Sequence, residues 1–417
     1  MNRATTSTGI RPMGRQPSGF YTIEERIFYV LLAIGGLVTG VGLAAAHYME
    51  EHGHIVTGMT NQVVWGMPHV FAIFMIVAAS GVLNVASIGS VFGNPAYKPR
   101  GRLSALLCAA LLAGGLTVLM LDLGRPDRVI VAATHYNFKS VFAWNVFLYS
   151  GMFAIVAIYL WTMMERRMNR FSKAAGMAAL VWRFVLTTGT GSIFGFLVAR
   201  QAYQSALLAP LFIVLSFGWG LAVFLIVQSA MYAWNGQVLS DALRQRMARL
   251  LGVFVAASLY LVAVYHLTNL YFARQGGFEA FILLGRGAGA NGVFPALFWV
   301  GYVALGALLP LVLLFHPRAG GPRHVMAAAL LVLAGAFALL YVFVIGGQSY
   351  PLDIFPGYVV HSSFADGAIE HYVPRLPEVL LGLGGLGVAF LLTTIGVRVL
   401  DFMPQDDFPT AKADTGH

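Results

Sequence analysis

Apolar residues in this chain neither alternate nor recur at short spacing; they run on. Ten stretches, near 27–48, 63–88, 103–121, 139–163, 174–198, 208–232, 249–272, 293–315, 325–346 and 377–400, are long and nearly free of charge. A helix needs about 20 apolar residues to cross a bilayer. The pattern predicts an all-α polytopic membrane protein of ten transmembrane helices. Residues 1–26 and 401–417 are polar tails. Ten is even, so both tails lie on one side.

The charges choose that side. Eighteen of the 26 Lys and Arg residues fall in the tails and loops on the side of the termini, and seven in the opposite loops. By the positive-inside bias, the N- and C-termini are cytoplasmic. Arg183 is the remaining one, inside a span: either it lines a polar conduit, or 166–182 lies along the inner interface with Arg183 at its edge. A composition of 58% hydrophobic and 10% charged residues excludes an ordinary soluble domain. The net charge of +9 then reports loop topology and contact with anionic lipids, not nucleic-acid binding. The polar stretch 1–21 lacks an apolar core and a small-residue cleavage site, so no cleaved signal peptide is expected. The one cysteine, Cys108, lies in an apolar span, which excludes an internal disulfide, a Cys-ligated iron–sulfur cluster and a Cys-x-x-Cys-His haem attachment.

Candidate chemistry gathers at the outer ends of the first four spans. The third span runs into Leu121-Asp122-Leu123-Gly124-Arg125-Pro126-Asp127-Arg128, where ionisable groups meet the membrane; such groups are functional candidates by default. Trp65 and His69 are four apart, on one helix face, and His69 falls about 9 Å inside a span that starts near 63. Trp144 and Asn145 enter the fourth span to a similar depth, and His47 closes the first on the same side. A small, mostly apolar pocket with a few convergent polar groups suits a quinone head group. His69 and Asp122 would exchange its protons, Asn145 and Arg125 would bond its carbonyls, and Trp65 and Trp144 would stack on its ring. Plainer roles stand beside these. Trp65 and Trp144 suit an interfacial aromatic belt, His69 a bond to a backbone carbonyl, and Asp122 with Arg125 a structural pair at a helix end.

Two other function classes are weighed against this one. A di-haem cytochrome b needs two imidazoles at matched depth on facing helices, and no span carries two histidines at ligand-like spacing. A secondary transporter would show mid-membrane carboxylates or a Gly/Pro-broken pair of spans; none of the 17 acidic residues lies at mid-span. The outer loop 347–376 is the longest and is rich in Pro, Tyr and Phe, which fits either an ordered docking surface or a plain lid.

The run Leu121–Arg128, the following Ser140-x-x-x-Trp144, and Trp65-Gly66 opening a span resemble the NrfD/polysulfide reductase (PsrC-like) membrane subunit family. The outermost two spans, with Ser349-Tyr350-Pro351 and Pro374-x-x-Pro377-Glu378, resemble its ten-span branch, most closely the DsrP-type subunit linked to dissimilatory sulfite reductase. The resemblance implies two four-helix bundles, here about 63–198 and 208–346, with the quinone in the first near the outer face. It implies Trp65, His69, Asp122, Arg125, Trp144 and Asn145 as the lining; His69 is at a position that varies in the family. It also implies an anchor with no haem or iron–sulfur cluster of its own, exchanging menaquinone or ubiquinone with the pool. A ferredoxin-like iron–sulfur subunit would dock on the periplasmic face, with further redox subunits of cytochrome c or cytochrome b type, or a catalytic subunit, in the same complex. The expected setting is sulfur-compound metabolism in the bacterial cytoplasmic membrane.

Overall fold

The computed structural model describes residues 20–21, 23–234, 239–287, 289–316, 321–352, 367–400 and 402–404. Among them are ten helices long and apolar enough to cross a membrane: α1 Glu25–His52, α2 Met67–Ser90, α3 Lys98–Leu121, α4 Val141–Met164, α5 Asn169–Gly195, α6 Leu208–Trp234, α7 Asp241–Tyr271, α8 Val293–Phe315, α9 Pro322–Ser349 and α10 Leu376–Val399. The protein is a multi-pass, all-helical membrane protein. The one non-helical pairing among the described residues is a two-residue antiparallel bridge of Phe20–Tyr21 with Met403–Pro404. It ties the segment before α1 to the segment after α10, so both ends lie on one face. The opposite face is called distal below.

Helices α2–α5 pack together, and so do α6–α9. The groups meet through α6, which lies against α2 and α5, and through α9, which touches α2. Helix α1 runs along α10, and α10 leans on α3 and α2. Without a hydrophobic drive between helices in lipid, small residues at the contacts allow close packing. At the junction of the two groups, a Cβ on Gly81 of α2 would collide with the Ser216 carbonyl of α6, and one on Gly220 would strike the Gly81 backbone. Gly81→Leu is therefore expected to wedge the groups apart. The readout is thermal unfolding in detergent, with a Tm about 5 °C or more below wild type.

Several boundaries differ from the sequence expectation, each for a local reason. Helix α2 starts at Met67, not near 63, because Pro68 suits the first turn of a helix and Gly66 does not extend one. His69 therefore sits in the first turn of α2, at the membrane edge. Helix α9 runs on through Ser349, and Gln348 and Ser349 are buried, so the distal loop begins later than 347. Residues 353–366, the middle of the expected docking surface, lie outside the described residues. Arg183 lies midway along α5 and is buried: Nη1 reaches the Ser80 carbonyl at 3.4 Å, and the guanidinium lies over the Phe184 ring. It is a core residue, not an interfacial one.

Candidate functional site

The distal half of the α2–α5 group encloses a cavity of about 410 Å³. Its walls are apolar: Ile73 and Ile76 from α2, Leu116 and Leu119 from α3, Phe153 from α4, Ile193 and Phe194 from α5. Polar groups enter at few places. His69 and Trp65 come from the start of α2, Asn145, Tyr149 and Ser150 from α4, and Thr190 from α5. Leu123 and Phe142 also line the cavity and are exposed at the surface of the α2–α5 group.

Each polar group is placed by local chemistry. His69 sits in the first turn of α2, its backbone N–H bonded to the Gly66 carbonyl at 3.1 Å. Trp65 lies against it, with ring centroids 6.0 Å apart and planes 26° from parallel. Asn145 is buried and donates its amide to the Val141 carbonyl one turn back at 2.8 Å. That bond fixes the amide orientation and turns Oδ1 away, where it has no protein donor among the described residues. Asp122 follows the last turn of α3, and its side chain is only 1% exposed. Its Oδ2 lies 2.8 Å from Nδ1 of His69. The approach is off the line of the ring N–H, so this is a close charge contact without an aligned hydrogen bond. Neither carboxylate oxygen has a well-aligned donor among the described residues. Buried acceptors in that state are costly and call for a partner.

Four of the six residues predicted for this site converge. Trp65, His69 and Asn145 line the cavity, and Asp122 stands behind His69. Arg125 and Trp144 do not. After Asp122 the chain leaves the helix, and Arg125, with φ −142° and ψ 69°, turns outward to pair with Asp127 at 3.4 Å. The partner of Asp122 is His69 and not Arg125. Neighbouring helix positions point about 100° apart. With Asn145 facing inward, Trp144 is left on the lipid side, its indole N–H donated to the Phe138 carbonyl at 2.9 Å.

A family model for polysulphide reductase, NrfD, matches residues 55–351. The chain belongs to the NrfD family. The match spans α2–α9 and leaves out α1 and α10. Among curated NrfD-type relatives, the Hdr-like menaquinol oxidoreductase integral membrane subunit of Archaeoglobus fulgidus is 29% identical over 91% of this chain and 94% of its own length. A putative dimethyl sulfoxide reductase membrane subunit of Halobacterium salinarum is 27% identical over 88% and 90%. A polysulfide reductase polypeptide of Wolinella succinogenes is 26% identical over 96% of its own length but 70% of this chain.

Sequence reasoning missed the scaffold that holds these residues. The segment leading into α2 is pinned from the far side of the molecule. Gln348 at the end of α9 accepts the backbone N–H groups of Val64 and Trp65, both at 3.0 Å, and donates to the Trp65 carbonyl at 3.0 Å. Arg200 clamps the carbonyls of Gln62 and Gln348, at 2.8 and 2.9 Å. Glu378 and Tyr372 hold the first residues of α2 from the side of α10. A Gln or Glu at a span end carries no local signal for such a role. A second His–carboxylate pair, His266 with Glu279 at 2.7 Å, lies in the α6–α9 group, with Asn269 donating to the other Glu279 oxygen at 2.7 Å. Among the described residues, no three His, Cys, Asp or Glu side chains gather as a metal site.

Proposed function

We propose that this chain is the quinone-reactive membrane subunit of a multi-subunit oxidoreductase, passing electrons between the quinone pool and an iron–sulfur subunit docked on the distal face. The observation that carries this is the cavity beside Asp122. It is apolar, of a volume usual for small-molecule sites, and carries Asn145, whose Oδ1 has no protein donor among the described residues, and His69, backed by the enclosed Asp122 carboxylate. A quinol brings two O–H donors on an apolar ring, which matches that lining. His69 turns Nδ1 to Asp122, which leaves Nε2 as the nitrogen to meet a substrate oxygen. Quinol oxidation breaks two O–H bonds and releases two protons and two electrons. Asp122 holds the imidazole oriented and stabilises it once protonated, as carboxylate–histidine pairs do. The indole of Trp65 gives the ring a flat wall.

Relatives named as parts of a menaquinol oxidoreductase, a dimethyl sulfoxide reductase and a polysulfide reductase support the assignment to a redox complex. The menaquinol relative favours a naphthoquinone as substrate. With cytoplasmic termini, the distal face is extracytoplasmic, in the cytoplasmic membrane of a prokaryote. Sulfur-compound turnover of the DsrP type is the metabolic setting we favour, on the motif resemblance alone.

The test is the purified complex in sealed vesicles, supplied with a short-chain naphthoquinol and a pH dye on each side. Protons should appear on the face opposite the chain termini. Release on the terminal face, or no quinol oxidation at all, would overturn the assignment. A reduced-minus-oxidised spectrum of the subunit alone should show no haem band; a sharp α-band would refute a cofactor-free anchor.

A further inference from the structure

A second cavity, of about 180 Å³, lies on the other side of Asp122. It is the more polar one, lined by His47 and Glu50 from the end of α1, by His54 from the turn after it, and by Leu123 and Gly124. Leu123 borders both cavities, so the residues around Asp122 form the partition between them. The carboxylate of Asp122 faces His69, while its backbone carbonyl accepts the Nε2–H of His54 at 3.0 Å. A carbonyl only accepts, so Nε2 carries the proton and Nδ1 is the acceptor nitrogen of His54. The His54 ring lies over Gly124, about as close as a Cβ there would allow, with that Cβ 3.9 Å from Nδ1. The turn is held by Thr57, whose Oγ1 and N–H both donate to the His54 carbonyl.

We infer that His54 is a proton-relay residue, taking the protons of quinol oxidation from the Asp122–His69 pair and passing them through the His47–Glu50 vestibule to distal water. This deepens the quinol assignment above and rests on it. In the oxidising direction each quinol O–H bond breaks, the electrons go to the one-electron iron–sulfur acceptor of the partner subunit, and the protons go to His69. From there they cross by Asp122 and water to His54 Nδ1 and leave by the vestibule. In the reducing direction the same groups deliver protons. Histidine both takes and gives a proton under physiological conditions, which suits it to this position. The charged groups around His54 are few. From α1 come His47, paired with Glu51 at 3.2 Å, and Glu50; His52 is turned away, to the Tyr48 carbonyl. From the turn after α3 come Asp122 and the Arg125–Asp127 pair. The relay comes from α1 and the turn that follows it; His47 and Glu50, with His54 just before it, all precede the family match that starts at residue 55.

The experiment uses the reconstituted complex with a short-chain naphthoquinol. His54→Gln retains an amide donor for the Asp122 carbonyl but has no group that cycles a proton; His54→Ala opens space. Both should lower turnover about tenfold or more with an unchanged KM for the quinol, raise the solvent isotope effect, and shift the pH profile. Added imidazole should restore part of the rate in His54→Ala. Wild-type turnover and pH profile in both variants would overturn the relay, as would a loss with raised KM and no rescue by imidazole. Asp122→Asn is the internal reference. If it is inactive while the His54 variants are normal, only the exit is wrong. If wild type neither binds nor oxidises the quinol, the assignment and the exit fall together.

Discussion

Asp122→Asn is expected to abolish quinone-linked electron transfer, lowering it by about 10²–10³-fold while the complex still assembles. The substitution keeps the shape of a side chain that is almost wholly enclosed. It replaces one of two acceptor oxygens with an N–H₂ donor. That donor meets the imidazole 2.8 Å away, and the substitution removes the charge that stabilises a protonated His69. A carboxylate with no aligned protein donors costs the fold free energy, so the neutral amide should not lower Tm. Turnover with a naphthoquinol, set against Tm and co-purification of partner subunits, separates the outcomes. Full activity would show that the chemistry lies elsewhere. Loss of activity with loss of assembly would make Asp122 a structural residue only.

Glu378→Ala should be among the most destabilising single changes in the molecule. Glu378 is fully buried at the start of α10. Its Oε2 accepts the backbone N–H groups of Gly58 at 2.9 Å and Arg375 at 2.8 Å, and its Oε1 accepts the Tyr372 hydroxyl at 2.8 Å. That hydroxyl in turn accepts the Met67 N–H at 2.7 Å, in the first turn of the helix that carries His69. Burial first, and the Glu378 charge next, push the Tyr372 phenol above its ordinary range. It therefore remains an O–H donor through neutral and mildly alkaline solution. Removing the carboxylate leaves two backbone donors and the phenol O–H without their acceptor, at about 1–3 kcal/mol each, so about 3–9 kcal/mol in all. A Tm lower by about 5 °C or more is expected, together with weaker naphthoquinone binding as the start of α2 loosens. Glu378→Gln, which retains an acceptor, should lose less. A Tm within about 1 °C of wild type in the alanine variant would show that the network does not hold α2.

These two residues mark how far the sequence could be read. Asp122 was legible, because an acid at the end of an apolar span is conspicuous at the level of a few residues. Glu378 was quoted only as part of a Pro-Glu motif, since its partners lie at Gly58, Met67 and Tyr372, the first two more than 300 positions away. Trp144 and Arg125 show an intermediate case. For both the sequence offers a depth, and depth is not direction. The 100° step between Trp144 and Asn145 points them in different directions, and the rotation of the helix decides which of the two faces the cavity. The outward turn at Arg125 depends on a backbone angle that follows Gly124 and precedes Pro126, and no periodicity reports it.

By itself the sequence determined the ten spans, the common side of the termini and the crowding of polar groups at one end of the first four spans. These are properties of segment length and local composition, set by the thickness of hydrocarbon and the need to pair every backbone group within it. Only the tertiary structure decided that Asp122 belongs to His69, that Asn145 and not Trp144 faces the cavity, that Arg183 lies in the core, and that α9 and α10 hold the start of α2. Those depend on how each helix is rotated about its axis and how closely it approaches its neighbours. Rotation and approach are set by contacts such as Gly81 against Ser216, between residues remote in the chain, and by hydrogen bonds whose two ends carry no common local pattern.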